Sequence, residues 1–117
     1  MGLSSLKSIT LDNNSLTSIP SLAAATTIIR ISLDNNLLTA IPNLAGLGSL
    51  TELYIDNNHI ESIANVVGIG LSSLRYFYMN SNYITTIPEN FTTMTGLNDG
   101  GWVLMANNKI CTGGMSP

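Results

Sequence analysis

The chain has 117 residues, enough for one small domain, and four Lys/Arg against seven Asp/Glu give it a formal net charge of -3. Only 9% of the residues are charged and 44% are hydrophobic, with fourteen Asn in the chain. Ordinary soluble domains are about 25% charged. So low a basic content argues against a DNA or RNA partner, because basic side chains must replace counterions along the phosphates. A single Cys excludes an internal disulfide framework and a zinc site built from several thiolates. No apolar run approaches the roughly 18–20 residues that span a bilayer, so membrane insertion is not expected, and no signal peptide is evident.

Taken in chain order, the sequence repeats itself. Residues 6–20, 28–42, 50–64 and 74–88 superimpose, and residues 100–111 form a fifth copy once Gly100 occupies the first apolar position. The second Asn of each pair sets the register. Asn14, Asn36, Asn58, Asn82 and Asn108 follow one another at intervals of 22, 22, 24 and 26 residues. In each unit two apolar residues alternate with other types: Ile9/Leu11, Ile31/Leu33, Leu53/Ile55, Phe77/Met79 and Val103/Met105. Period-2 alternation predicts strands near residues 8–12, 30–34, 52–56, 76–80 and 102–106, each with one buried face. One strand per unit in constant phase predicts parallel strands stacked along a solenoid.

After each strand the chain must turn while its peptide groups become buried. An amide side chain both donates to and accepts from those groups. The five register Asn are therefore expected to form a structural Asn ladder. Leu16, Leu38, Ile60, Ile84 and Ile110 then re-enter the core, followed by Ile19, Ile41, Ile63 and Ile87. Pro20, Pro42 and Pro88 start three of the return segments, fixing the backbone and removing a donor, whereas the third unit has Ala64. In the longer fourth return, Phe91, Met94 and Leu97 stand at helical spacing, and residues 98–101 (Asn-Asp-Gly-Gly) read as a turn before the fifth strand.

The shared pattern, L-x-x-L-x-L-x-x-N-x-L-x-x-I-P, resembles the leucine-rich repeat family over nearly the whole chain. The resemblance implies one domain, 1–117, with an α/β solenoid fold. It would be a right-handed arc with a parallel sheet on its concave face and mostly short 3₁₀, extended or turn segments on its convex face. Both ends are expected to lack complete caps. Leu3-Ser-Ser-Leu6 matches Leu71-Ser-Ser-Leu74, so the chain opens in mid-repeat. Cys111 resembles the start of the disulfide-bonded cap of extracellular members; the alternative is a small buried Cys filling the last unit.

Exposed strand positions should form three columns across the sheet, with neighbours about 4.8 Å apart. The first reads Ser8, Arg30, Glu52, Tyr76, Trp102; the second Thr10, Ser32, Tyr54, Tyr78, Leu104; the third Asp12, Asp34, Asp56, Asn80, Ala106. Aromatics with polar tips bury much area at low entropy cost and are enriched at binding hot spots. Tyr54, Tyr76, Tyr78 and Trp102 are therefore the candidate ligand-binding residues, with Arg30, Glu52, Asp12, Asp34 and Asp56 setting the polarity; cross-strand packing is the alternative role. The three stacked Asp would repel unless turn amides, a cation or a basic ligand offset them, and bonding to local turn amides is the expected solution. His59 is expected to be solvated, and no triad, paired acid/base site, phosphate loop or metal site is assembled. Asn90-Phe91-Thr92 matches the glycosylation sequon.

The chain is expected to be no enzyme and to need no cofactor. The leading expectation is an interaction module binding a protein or peptide, or a glycan, on its concave face. The alternative is an extracellular scaffold or filament assembled by end-to-end stacking of uncapped repeats, a heterologous contact that generates open fibres. Scarce Lys and the position of Cys111 point to a secreted or cell-surface setting, with the cytoplasm as alternative because cytosolic members share the 22-residue period.

Overall fold

The computed structural model describes residues 5–22, 24–66, 69–88 and 100–109. Five strands, β1 (Ser8–Thr10), β2 (Arg30–Ser32), β3 (Glu52–Tyr54), β4 (Tyr76–Tyr78) and β5 (Trp102–Leu104), form one sheet in the order β1-β2-β3-β4-β5. Every neighbouring pair is parallel, and the register places Ser8, Arg30, Glu52, Tyr76 and Trp102 side by side. The strands are shorter than the five-residue spans expected, but the inter-unit bonding continues beyond them. The amides of Leu33 and Asn35 donate to the carbonyls of Tyr54 (2.8 Å) and Asp56 (2.9 Å), and the other units repeat the pattern.

The parallel sheet and its stacked coil agree with expectation; the described residues bear only on part of the α component. There is no α-helix among the described residues. The described parts of the return segments carry turns and a 3₁₀ turn, Ala64–Val66. That turn begins where the third unit lacks the Pro of its neighbours, and the freed Ala64 amide donates to Ser62 Oγ at 3.1 Å. Returns this short leave too few residues for the several turns that an α-helix needs to be worth nucleating. The expected helical spacing of Phe91, Met94 and Leu97 lies outside the described residues, as do Asn90, Ile110 and Cys111.

The core runs along the coil between the sheet and the returns. Ile31, Leu33, Leu53, Ile55, Phe77 and Met79 on the inner face of β2–β4 meet Leu38, Ile60 and Ile84 from the re-entrant positions, and Leu44, Leu47, Leu50, Leu71 and Leu74 from the returns. Each fully buried side chain of this kind contributes about 1.5–3 kcal/mol.

The turn after each strand is made by two adjacent residues with different tasks. The first takes positive φ: Asn13 62°, Asn35 60°, Asn57 57°, Ser81 58° and Asn107 58°. Left-handed backbone is costly for most L-residues and least so for Asn, whose short amide bonds locally. The second sends its side chain inward. Asn58 is buried; its Nδ2 donates to the carbonyls of Leu33 (2.9 Å), Ile55 (3.2 Å) and Asp56 (3.2 Å), and its Oδ1 accepts from the Leu38 amide at 3.1 Å. Asn36, Asn82 and Asn108 repeat this set. Asn14, at the sheet edge, is exposed and donates to Leu11 and Asp12 of its own turn. Asn58→Ala is expected to cost about 1–3 kcal/mol, because it strands buried carbonyls and an amide. Asn14→Ala, whose groups reach water, should cost less than about 1 kcal/mol; urea denaturation of both variants measures the difference.

Candidate functional site

The pleat sends alternate strand residues to the outer face of the sheet, where Trp102 and Leu104 are 59% and 37% exposed. All nine predicted binding residues lie on it, in the expected columns. The structure does not treat them alike. Arg30, Glu52, Tyr54 and Tyr78 are knitted together. The Arg30 guanidinium lies 3.5 Å from Glu52 Oε1, donates to Thr10 Oγ1 at 3.2 Å and stacks 5.1 Å from the Tyr54 ring centroid. The Tyr54 hydroxyl donates to Glu52 Oε1. Tyr54 and Tyr78 meet edge to face at 4.9 Å, a favoured aromatic geometry.

Two consequences follow. Burial, then the bond to Glu52, pushes the Tyr54 phenol up to about 12, so it stays neutral through the physiological range. Ser32, expected in an exposed column, is only 1% exposed. Arg30 reaches both Thr10 and Tyr54, the two residues flanking Ser32 in the register. The Ser32 hydroxyl donates to Asp12 Oδ1 at 2.8 Å. Trp102 is different: at 59% it is far more exposed than the Tyr side chains of the cluster, and Leu104 beside it is 37% exposed. Tyr76 stands between Glu52 and Trp102 in the register, half-buried.

The third column has a structural partner that differs from the one expected. Each carboxylate bonds the neighbouring unit and not its own turn: Asp12 Oδ1 accepts the Asp34 amide (2.8 Å), Asp34 Oδ1 the Asp56 amide (2.7 Å) and Asp56 Oδ1 the Asn80 amide (2.7 Å). Asn80 Oδ1 does the same for Ala106 at 2.7 Å. The position needs an acceptor, and Asn80 supplies one without a charge. Burial chiefly raises the carboxyls of Asp34 and Asp56 above 3.8, with like charge from Asp56 and Asp12 adding to the effect at Asp34.

A further exposed column, beyond the strands, escaped the sequence reading. The residue after each register Asn is Ser15, Leu37, His59, Tyr83 or Lys109. His59 packs edge-on against Tyr83 at 5.4 Å, and Lys109 Nζ lies 5.8 Å from the Tyr83 centroid, so His59 is exposed but not isolated. The signal was available: four of these five residues are large, at a position the core does not use.

Two overlapping stretches, residues 4–60 and 48–99, match the leucine rich repeat family model. The chain belongs to the leucine-rich repeat family. Such domains are typically non-enzymatic protein-interaction modules. Compared with curated proteins, the chain shows no significant match. No helix among the described residues is long and apolar enough to cross a membrane.

Ionisation of a carboxyl whose pKa is raised by folding costs stability above that pKa, and protonation relieves the cost as pH falls toward 3.8. The double substitution D34N/D56N keeps both acceptors, as Asn80 shows, and removes both charges. It is therefore expected to melt at or above the wild-type temperature at pH 7. The difference should shrink as the pH is lowered through the raised values toward 3.8. Asp34→Ala removes the acceptor and should cost about 1–3 kcal/mol; calorimetry across pH reads all three proteins.

Proposed function

We propose that this leucine-rich repeat domain is a non-enzymatic module that binds a protein or peptide on the open face of its sheet. The observation that carries the reading is the exposure of Trp102 and Leu104 beside half-buried Tyr76 and Tyr78. The core does not use these side chains. They sit on strands whose backbone is fixed by pairing on β4 and β5, so they are rigid anchors of the kind that dominate interfaces. The Arg30–Glu52–Tyr54 cluster forms the polar floor next to them. A glycan stacked on Trp102 is a variant of the same reading, and the setting we propose is secreted or cell-surface.

A random dodecapeptide library displayed on phage, selected on the folded domain, tests this. Enrichment is expected on wild type and should be lost on the Tyr76→Ala/Trp102→Ala double variant, with single peptides losing over about 2 kcal/mol of affinity. Equal enrichment on a folded double variant would remove the open face from consideration.

A second reading, a scaffold built by end-to-end stacking, has its own observation. Leu11 of the first unit is 38% exposed, whereas its equivalents Leu33, Ile55 and Met79 are fully buried, and Val103 and Met105 of the fifth unit are partly buried. Another unit stacked on either side would cover them. Sedimentation velocity at rising concentration should then show a growing series of species; one concentration-independent monomer peak would sink this reading.

A further inference from the structure

The open face is chemically divided along the coil. In its middle, Arg30 and Glu52 neutralise each other, and the Arg30 guanidinium is already engaged by Thr10 and Tyr54. The remaining charge in the three columns is Asp12, Asp34 and Asp56, all on the first three units. Each commits Oδ1 to the amide of the next unit, which holds the carboxylates in a row at the strand ends. The fourth and fifth units have uncharged Asn80 and Ala106 there, and carry the apolar surface of Tyr76, Tyr78, Trp102 and Leu104 instead. An acidic row thus runs directly into an aromatic patch.

On the reading that this face binds, we propose that its partner is an extended peptide with an Arg or Lys side chain three to four residues from a large apolar one. The cation lies against Asp34 and Asp56, and the apolar side chain against Trp102 and Leu104. The spacing comes from sheet geometry. Asp56 and Leu104 are two units and two strand positions apart, roughly 12 Å from spacings of about 4.8 Å and 3.3 Å. An extended chain covers that distance in about three to four residues. The sign of the charge comes from the row itself. An acidic peptide meets three carboxylates beside a guanidinium, Arg30, that Glu52, Thr10 and Tyr54 already engage, whereas a nearby cation favours the charged forms of Asp34 and Asp56 that burial disfavours.

The enriched dodecapeptides decide the matter. A basic residue three to four positions from Leu, Ile, Phe, Tyr or Trp supports the proposal. Enrichment of acidic peptides, or of apolar peptides without a basic residue, overturns this partner class and leaves the open face as a binding face. No enrichment above the Tyr76→Ala/Trp102→Ala variant overturns both. A Trp-free synthetic copy of an enriched peptide then titrates the emission of Trp102, the only Trp in the chain. Binding is expected to weaken about fivefold or more in D34N/D56N, the combined effect of two exposed ion pairs, and to weaken in 0.5 M salt, where screening lengths fall to a few ångströms. Affinity unchanged by both would overturn the pairing with the Asp row.

Discussion

Every unit of this coil must reverse direction with its backbone inside the protein, where each unpaired carbonyl or amide costs about 1–3 kcal/mol. One side chain per unit meets that demand. The amide of Asn58 joins its own turn to the strand end of the unit before it and to the re-entrant Leu38. It is at once a turn device and an inter-unit bolt. Each stacked unit therefore depends on its neighbours for polar satisfaction as well as for apolar burial, which is the physical content of a one-dimensional repeat fold. The neighbouring left-handed residue makes this possible by aiming the next side chain inward.

The same economy recurs at the strand ends. A second set of inter-unit bonds, from Asp12, Asp34, Asp56 and Asn80 to the following amides, runs parallel to the first. Two columns of side-chain acceptors thus add to the backbone pairing that sets the register of five strands only three residues long. The charges on three of those acceptors are incidental to that role, since Asn80 does the same work neutral. They are available to shape the electrostatics of the face.

Rigidity at this level sets what the open face can do. Arg30 is held by an ion pair, a hydroxyl and an aromatic ring, so its guanidinium is already engaged. Trp102 and Leu104 stay 59% and 37% exposed, surface that the proposed reading gives to a partner. On the proposed reading, a face with a pre-ordered polar half and an exposed apolar half would lose little entropy on association.

The repeat, the strand positions, the three columns and the inward Asn were all legible in the sequence, because each depends on a periodic pattern that recurs in every unit. So was the abundance of Asn: one of each pair bonds the core, and the other tolerates positive φ, a role that the sequence marks by Asn in four units and Ser81 in one. The fate of individual face residues was not legible. Arg30, Tyr54 and Trp102 occupy equivalent columns in the sequence, yet one is clamped, one is desolvated against Glu52 and one stands open. Much of that difference arises from pairs twenty or more residues apart, Arg30 with Thr10, Glu52 and Tyr54 and Tyr54 with Tyr78, brought within reach only when parallel strands stack. Periodicity decides which way a side chain points; the neighbour it meets there is decided by the stacking.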